Sequence, residues 1–439
     1  MAKPNILYLH SHDTGRYVSP YGYAVSTPYL EQFARQGVLF RQAFCANPTC
    51  SPSRASLLTG LWPHSNGMLG LAHRGFRLND AQRHLAWVLK SAGYHTVLCG
   101  VQHEAGRPEE LGYECVLQTA STHAVHVAPA AAAFLNGTEP EPFFFSVGFF
   151  ETHRPFPSPT AADDPRYLRP PAPLPDTPET RRDMAGFCSS VRILDDGIGR
   201  VLAALDAAGL AERTIVLITS DHGPAFPAMK CHLTDHGLGV MLMLRGPGGW
   251  EGGRVMDTMV SHLDVAPTLF ETADLEKPAW LQGVSLLPLL RGEVIEPHDA
   301  MFAELNFHAA YEPQRCVRTG RYKYIRRYAG RERPVLPNCD AGKSKTVWLE
   351  HGWSQRHVAR EELFDLVFDP NECHNLIGQP GYATVAEEMR CRLHAWQLQT
   401  QDPLLNGRLI VPAGAVLDPV DGIDPDTGGA IRYEHAQPM

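Results

Sequence analysis

The sequence predicts an α/β protein: a large, mostly parallel sheet sandwiched by helices, followed by a smaller antiparallel sheet with a helix. Three observations lead there. The apolar runs at residues 5–10, 143–150 and 214–219 carry no acidic, Lys or Arg side chain, as strands covered on both faces require. Stretches of helical spacing alternate with such runs through the first 300 residues. From about Met301 the strand candidates become shorter and more polar.

Residues 5–10 read as the first buried strand, and Ser11-His12-Asp13-Thr14-Gly15 mark its carboxyl end, where sheets of this kind place chemistry. Thr27 caps a helix that opens with Pro28, carries Leu30, Phe33 and Ala34 at helical spacing and stops at Gly37; residues 38–40 are then extended. A helix over about 84–92 ends at Gly93 and leads into a strand at 95–100. Another helix, about 124–135, precedes the strand 143–150, which runs into Glu151-Thr152-His153. A long helix at about 183–208 comes before the strand 214–219 and the segment Ser220-Asp221-His222-Gly223. One more strand lies at 240–244. In the last part, 315–319 and 321–326 are strands and about 384–398 is a helix. No internal repeat is visible.

At 439 residues the chain exceeds the usual size of one compact core. Residues 1–300 are therefore expected as the main domain and 301–400 as a C-terminal subdomain. Residues 401–439, rich in Pro, Gly and Asp, are expected as a tail, either loosely ordered or laid on a neighbour as an arm of a homo-oligomer. Hydrophobic residues at 44% and charged residues at 20% are ordinary for a soluble globular protein. A net charge of -9 and a pI near 6.2 argue against nucleic acid or an anionic membrane as partner, since both call for a basic face. The apolar stretch 6–9 is too short for a signal-peptide core or a membrane span, so a cytoplasmic protein is expected. Ten cysteines without zinc-site or small-domain disulfide spacing are expected to be mostly reduced, and several of them buried.

Cys50 is set apart by its neighbours. In Cys50-Ser51-Pro52-Ser53-Arg54-Ala55-Ser56-Leu57-Leu58-Thr59-Gly60, Pro52 suits the first turn of a helix, which puts Cys50 at the amino end, where unpaired N–H groups favour an anion. Arg54 adds a positive charge within one turn, able to fork onto the oxygens of a sulfate, a phosphate or a hydrated aldehyde. The bland alternative is a buried cysteine at a helix start. This segment resembles the sulfatase family, whose Cys-x-Pro-x-Arg motif directs oxidation of the cysteine to formylglycine. The resemblance covers about residues 4–400. Its texture is that of sulfamidase-like sulfatases at Pro63-His64-Ser65-Asn66-Gly67-Met68, Phe226-Pro227, Glu362-Leu363-Phe364-Asp365-Leu366, Asp369-Pro370 and Asn375-Leu376.

Asp13 and Asp221-His222 each follow a parallel strand and can converge across the sheet; hard oxygen ligands with an imidazole make a site for one divalent metal. In the family two adjacent Asp residues usually follow the first strand. Here the pair is His12-Asp13, which leaves Asp13 the safer ligand and His12 a second candidate, with Cys50 sharing the ion. The resemblance favours calcium, whereas coordination by both His12 and His222 would favour manganese or another transition metal. The family's Gly-Lys-x-His element is Gly100-Val101-Gln102-His103 in this chain, without the lysine. His73, Arg74 and Arg107 are candidates to replace that charge; each is otherwise an ordinary surface residue. By resemblance His103 is the base acting on the intermediate, and His153 and Lys230 stand near the leaving group. His64 borders the pocket or makes a structural hydrogen bond, and Glu304, His308 and Arg318 are candidates for the substrate's far end.

The resemblance implies hydrolysis of a sulfate ester or sulfamate on a small sulfated sugar, aryl or alkyl substrate. The nucleophile would be formylglycine derived from Cys50 by a formylglycine-generating enzyme, assisted by the metal. Two other readings stand beside it. The same site would serve phosphonate monoesters or phosphodiesters, which Val101 keeps open, and a non-catalytic member would only bind a sulfated glycan.

Overall fold

The computed structural model describes residues 3–138 and 140–439. Nine strands form the large sheet: β1 (Asn5–Ser11), β2 (Val38–Phe44), β3 (His95–Gly100), β4 (Cys115–Leu117), β5 (Phe143–Gly148), β6 (Thr214–Ser220), β7 (Gly239–Val240), β8 (Leu242–Arg245) and β9 (Arg254–Ser261). They lie in the order β4-β3-β5-β1-β6-β8-β2-β7, with β9 beside β2. Every pair from β4 to β6 is parallel, as is β2 with β9, whereas β8 runs antiparallel to both β6 and β2. Two reversals leave β2 parallel to β6, so both end at the same edge of the sheet.

β1, β5 and β6 are buried at every position, which is why they read as unbroken apolar runs. The single strand expected at 240–244 is divided at Met241, whose N–H donates to the Gly15 carbonyl instead. β9 has only Val260 and Ser261 buried, so no apolar run announces it. The helix Pro28–Gln36 starts where expected, but with a different cap. Thr27 is turned to Ser19, and the Asp195 carboxylate accepts the free N–H groups of Tyr29 (3.1 Å) and Leu30 (2.8 Å). The long helix begins at Pro178 rather than 183, because Thr177 and Thr180 form a reciprocal cap and Pro178 fits the first turn.

The smaller sheet is antiparallel throughout, β10 (Met301–Phe307), β11 (Tyr311–Arg318), β12 (Tyr322–Arg327) and β13 (Glu361–Asp365) in sequence order. The helix Ala383–Thr400 covers it, packing Met389, Leu393 and Trp396 on Val317, Tyr324 and Leu363. One core joins the two sheets, since Ile6, Phe144 and Leu217 belong to the same buried cluster as Leu305, Ile325 and Phe364.

The tail from 401 onward, expected as a loose segment or an arm on a neighbour, is laid on its own chain. Leu404, Leu409, Val411 and Leu417 are buried with Ala55, Met68, Phe76 and Phe307. Four short strands, β14 (Ile410–Val411), β15 (Val416–Leu417), β16 (Ile431–Arg432) and β17 (Gln437–Pro438), pair as β14 with β17 and β15 with β16. Its apolar residues are too scattered among Pro and Gly to show a period, so the packing is invisible to sequence. Among the described residues no helix is long and apolar enough to cross a membrane. All ten cysteines are free, and only Cys373 and Cys391 are exposed.

Candidate active site

Strand register assembles the site. β1 pairs with β6 so that Ser11 faces Ser220, and His12-Asp13 and Asp221-His222 therefore leave the sheet side by side. On the other flank His10 lies opposite Gly148, and Gly148 opposite Gly100, which delivers residues 149–153 and 101–103 to the same edge. β2 ends there too, and after a short loop a helix, Cys50–Thr59, begins at Cys50 itself. The turns are stitched together: Asp13 N–H donates to Asp221 Oδ1 (2.8 Å), Thr14 N–H to Ser220 Oγ (2.9 Å) and Gly15 N–H to the His222 carbonyl (2.8 Å). Asp13 has φ +56°, a left-handed conformation that Asp tolerates better than most residues.

One ligand atom from each of His12, Asp13, Cys50, Asp221 and His222 lies within 4.8 Å of all the others, and all five residues are buried. His222 Nδ1 donates to the Gly223 carbonyl (2.9 Å). With Nδ1 so engaged, the ring turns Nε2 toward Asp13 Oδ1 (3.3 Å) and Cys50 Sγ (3.4 Å). His12 Nδ1 stands 2.7 Å from Asp13 Oδ1 and 3.3 Å from Asp221 Oδ2. Two carboxylates and an imidazole converging on one point are a donor set that fits a divalent cation.

Charge around this point is dense. Lys230 Nζ lies 2.9 Å from Asp13 Oδ2 and 2.9 Å from Asp340 Oδ2. Burial raises the Asp13 carboxyl, but Lys230, His12, His153 and His222 outweigh it and hold it well below its ordinary range. Burial is likewise outweighed at Asp221, by His222, Arg54 and His12. Burial pushes the Cys50 thiol well up; Lys230 opposes this, and Asp13 and Asp221 add to it. An unmodified Cys50 is therefore a neutral thiol and a poor nucleophile. Burial depresses His12 to about 4, against the raising pull of Asp221 and Asp13.

Arg54 is 2% exposed, and the protein itself holds its guanidinium. Nη2 donates to Asp221 Oδ2 and to the Ser11 carbonyl (both 2.9 Å), and Nη1 to His10 Nδ1 (2.6 Å). Its charge thus reaches the site through Asp221, not as an open fork. His103 Nε2 is 2.8 Å from His73 Nδ1 with the rings stacked, and its ring lies 6.0 Å from that of His12. His153 Nε2 is 3.9 Å from Asp13 Oδ2, and its Nδ1 donates to the Arg154 carbonyl (2.6 Å).

The other candidates separate. Arg74 is buried and bound by Asp418 and Asp426, and Arg107 is paired with Glu110, so of the three possible replacements for the missing lysine only His73 stands against the site. His64 bonds Glu304 (2.6 Å), Glu304 also meets Arg315 (3.3 Å), and Arg318 holds Asp235 (3.1 Å). Glu304 and Arg318 therefore fasten the small sheet to the helices Pro63–Asn66 and Asp235–Leu238. His308 is buried with Nδ1 unpartnered among the described residues, and burial and then Lys230 depress it well below the ordinary histidine range. Asp340 and His10 escaped the sequence reading. His10 looked like a strand residue, and nothing around Asp340 distinguishes it from any loop aspartate.

The fold and this cluster define a class, and comparison with known proteins agrees. Residues 4–275 match the sulfatase family, and residues 229–337 match the family described as N-sulphoglucosamine sulphohydrolase, C-terminal. The chain belongs to the sulfatase family and is a sulfuric ester hydrolase. It is 31% identical over 465 residues to the N-sulphoglucosamine sulphohydrolase of Homo sapiens, covering 92% of this chain and 91% of that one. Two solved structures share its fold at 20% identity. One, in complex with its substrate D-glucosamine-2-N,6-O-disulfate, has a TM-score of 0.69 and covers 91% of this chain and 98% of its own. The other, a phosphonate monoester hydrolase of Agrobacterium radiobacter, has a TM-score of 0.70 with 93% and 98% covered.

Proposed function

We propose that this sulfatase cleaves a sulfate ester or sulfamate on a small sulfated sugar, using formylglycine at position 50 and one divalent metal. The observation that carries the reading is the buried cluster of His12, Asp13, Asp221 and His222 around the side chain of residue 50. Asp13, Asp221, His222 and residue 50 would hold the metal, with His12 as a further ligand. Calcium suits the carboxylates, and manganese suits the set better if both imidazoles bind. When present, the two groups supply a nucleophile for sulfur and positive charge for its oxygens. A formylglycine-generating enzyme would convert Cys50.

The chain's own residues do the rest. Arg54 fixes the Asp221 carboxylate and offsets its charge. Lys230, between Asp13 and Asp340, supplies an ammonium to the sulfate oxygens. His153, whose Nδ1–H donates to the Arg154 carbonyl, turns Nε2 toward Asp13, and as an imidazolium it would give the Nε2 proton to the leaving oxygen or nitrogen. His103, braced by His73, takes up the proton released at residue 50. A sugar substrate is supported by the human relative, named for N-sulphoglucosamine, and by the aminosugar disulfate bound in the structural neighbour.

A second reading keeps the site and changes the group transferred to a phosphonate monoester or phosphodiester; the apolar Val101 in the family's lysine position favours it. Parallel assays of glucosamine N-sulfate, an aryl sulfate and an aryl phosphonate separate the two. The expected result is cleavage of the sulfated compounds, a peptide mass showing formylglycine at residue 50, and no measurable turnover by Cys50→Ala. Wild-type rates from Cys50→Ala would remove residue 50 from the chemistry.

A further inference from the structure

We propose that a cavity between residues 72–81, residues 104–111 and the C-terminal tail is a second sugar subsite, which binds a carboxylate- or sulfate-bearing sugar attached to the unit being desulfated. The inference rests on the sulfated-sugar reading above. The cavity measures about 530 Å³, within the range of small-molecule sites. His73 lines it, and because the His73 ring stacks on His103 the cavity adjoins the reaction centre.

Its charged lining consists of two arginines and two glutamates, which differ in their partners. Glu104 accepts the His103 N–H (2.7 Å) and Glu110 is paired with Arg107 (2.7 Å), so both carboxylates are engaged. Arg77 and Arg432 also line the cavity, both are exposed, and neither has a carboxylate partner among the described residues. A guanidinium is the side chain best shaped to fork onto a carboxylate or sulfate, and two of them facing one hollow select for an anion there.

The wall that presents Arg432 is fixed in place. Arg432 pairs across the strands with Val416, and Asp418 and Asp426 from the tail clamp Arg74 at 3.0 and 2.6 Å. Gly75, at φ +95°, admits the backbone of Gly414 and Ala415, which a side chain would displace. A rigid wall spares the ordering cost that a loose tail would impose on binding. A neutral aryl or alkyl leaving group would leave both arginines idle, whereas an acidic glycan would meet them.

The test compares glucosamine N-sulfate with the same unit linked to a hexuronate, for wild type and the Arg77→Gln/Arg432→Gln double variant. The expected result is a kcat/KM about tenfold higher for the linked substrate in wild type, a gain that is lost in the double variant and shrinks with added salt, while the monosaccharide rate is unchanged. Equal rates of variant and wild type on the linked substrate would overturn the subsite, as would equal losses on both substrates. If wild type cleaves neither, the sulfated-sugar reading has failed. Calorimetry with the unsulfated hexuronate disaccharide then decides the subsite by itself: weaker binding to the double variant supports it, and identical binding overturns it.

Discussion

Lys230 lies between the Asp13 and Asp340 carboxylates, so the positive charge offered to a substrate is already partly cancelled. Asp340→Asn should leave the ammonium less compensated and draw an anionic aryl sulfate in more tightly, lowering KM by about three- to tenfold in steady-state assays. A purely structural role for Asp340 would change thermal stability and leave KM alone. Asp221 is the residue where cation, helix and strand meet. Asp221→Asn should lose bound divalent metal in elemental analysis of dialysed protein, since an amide is a far weaker ligand than a carboxylate. Two departures from the family pattern offset each other: His12 removes a negative charge and Val101 a positive one. Asp13 and Asp221 were legible because they end apolar strands. Asp340 was not, because only the folded loop brings it to Lys230.

At the level of elements, the site depends on strands whose ends stay level. Gly148 pairs with both His10 and Gly100, and a Cβ there would collide with the Val101 carbonyl and the His10 ring. Gly148→Ala should cost about 2 kcal/mol in urea unfolding and lower turnover further than that loss alone explains, because the segments carrying His103 and His12 are pushed apart. Strands buried on both faces were readable from sequence, since nothing polar interrupts them. β9 and β13 were not, because half-buried strands look like loops when their partners are unknown. Helix caps failed for a similar reason: Asp195 serves the helix Pro28–Gln36 from far along the chain.

Across the whole molecule, the main sheet, the small sheet and the tail are joined by buried charge as well as by apolar packing. Arg315 on β11 meets Asp402 at 2.7 Å and Glu304 at 3.3 Å, all fully or almost fully buried. Burial raises the Asp402 carboxyl, but Arg315 outweighs it and holds it at about 2. A free aspartate titrates near 3.9, so this pair contributes on the order of 2 to 3 kcal/mol above about pH 5 and loses it as pH falls toward 2. Asp402→Asn should be less stable at pH 7 and show a flatter decline between pH 5 and 2 in chemical unfolding. The two-sheet architecture was readable from the change in texture near Met301. The embrace of the tail was not, because its anchors are single residues.

The tail's place has a consequence for how the protein is made. Translation reaches Arg432 and the residues of β17 only after every group gathered around position 50, so the flank beside His73 stays open until they have left the ribosome. A message cut short after codon 400 would encode all the groups gathered around position 50 and still leave that flank exposed to water.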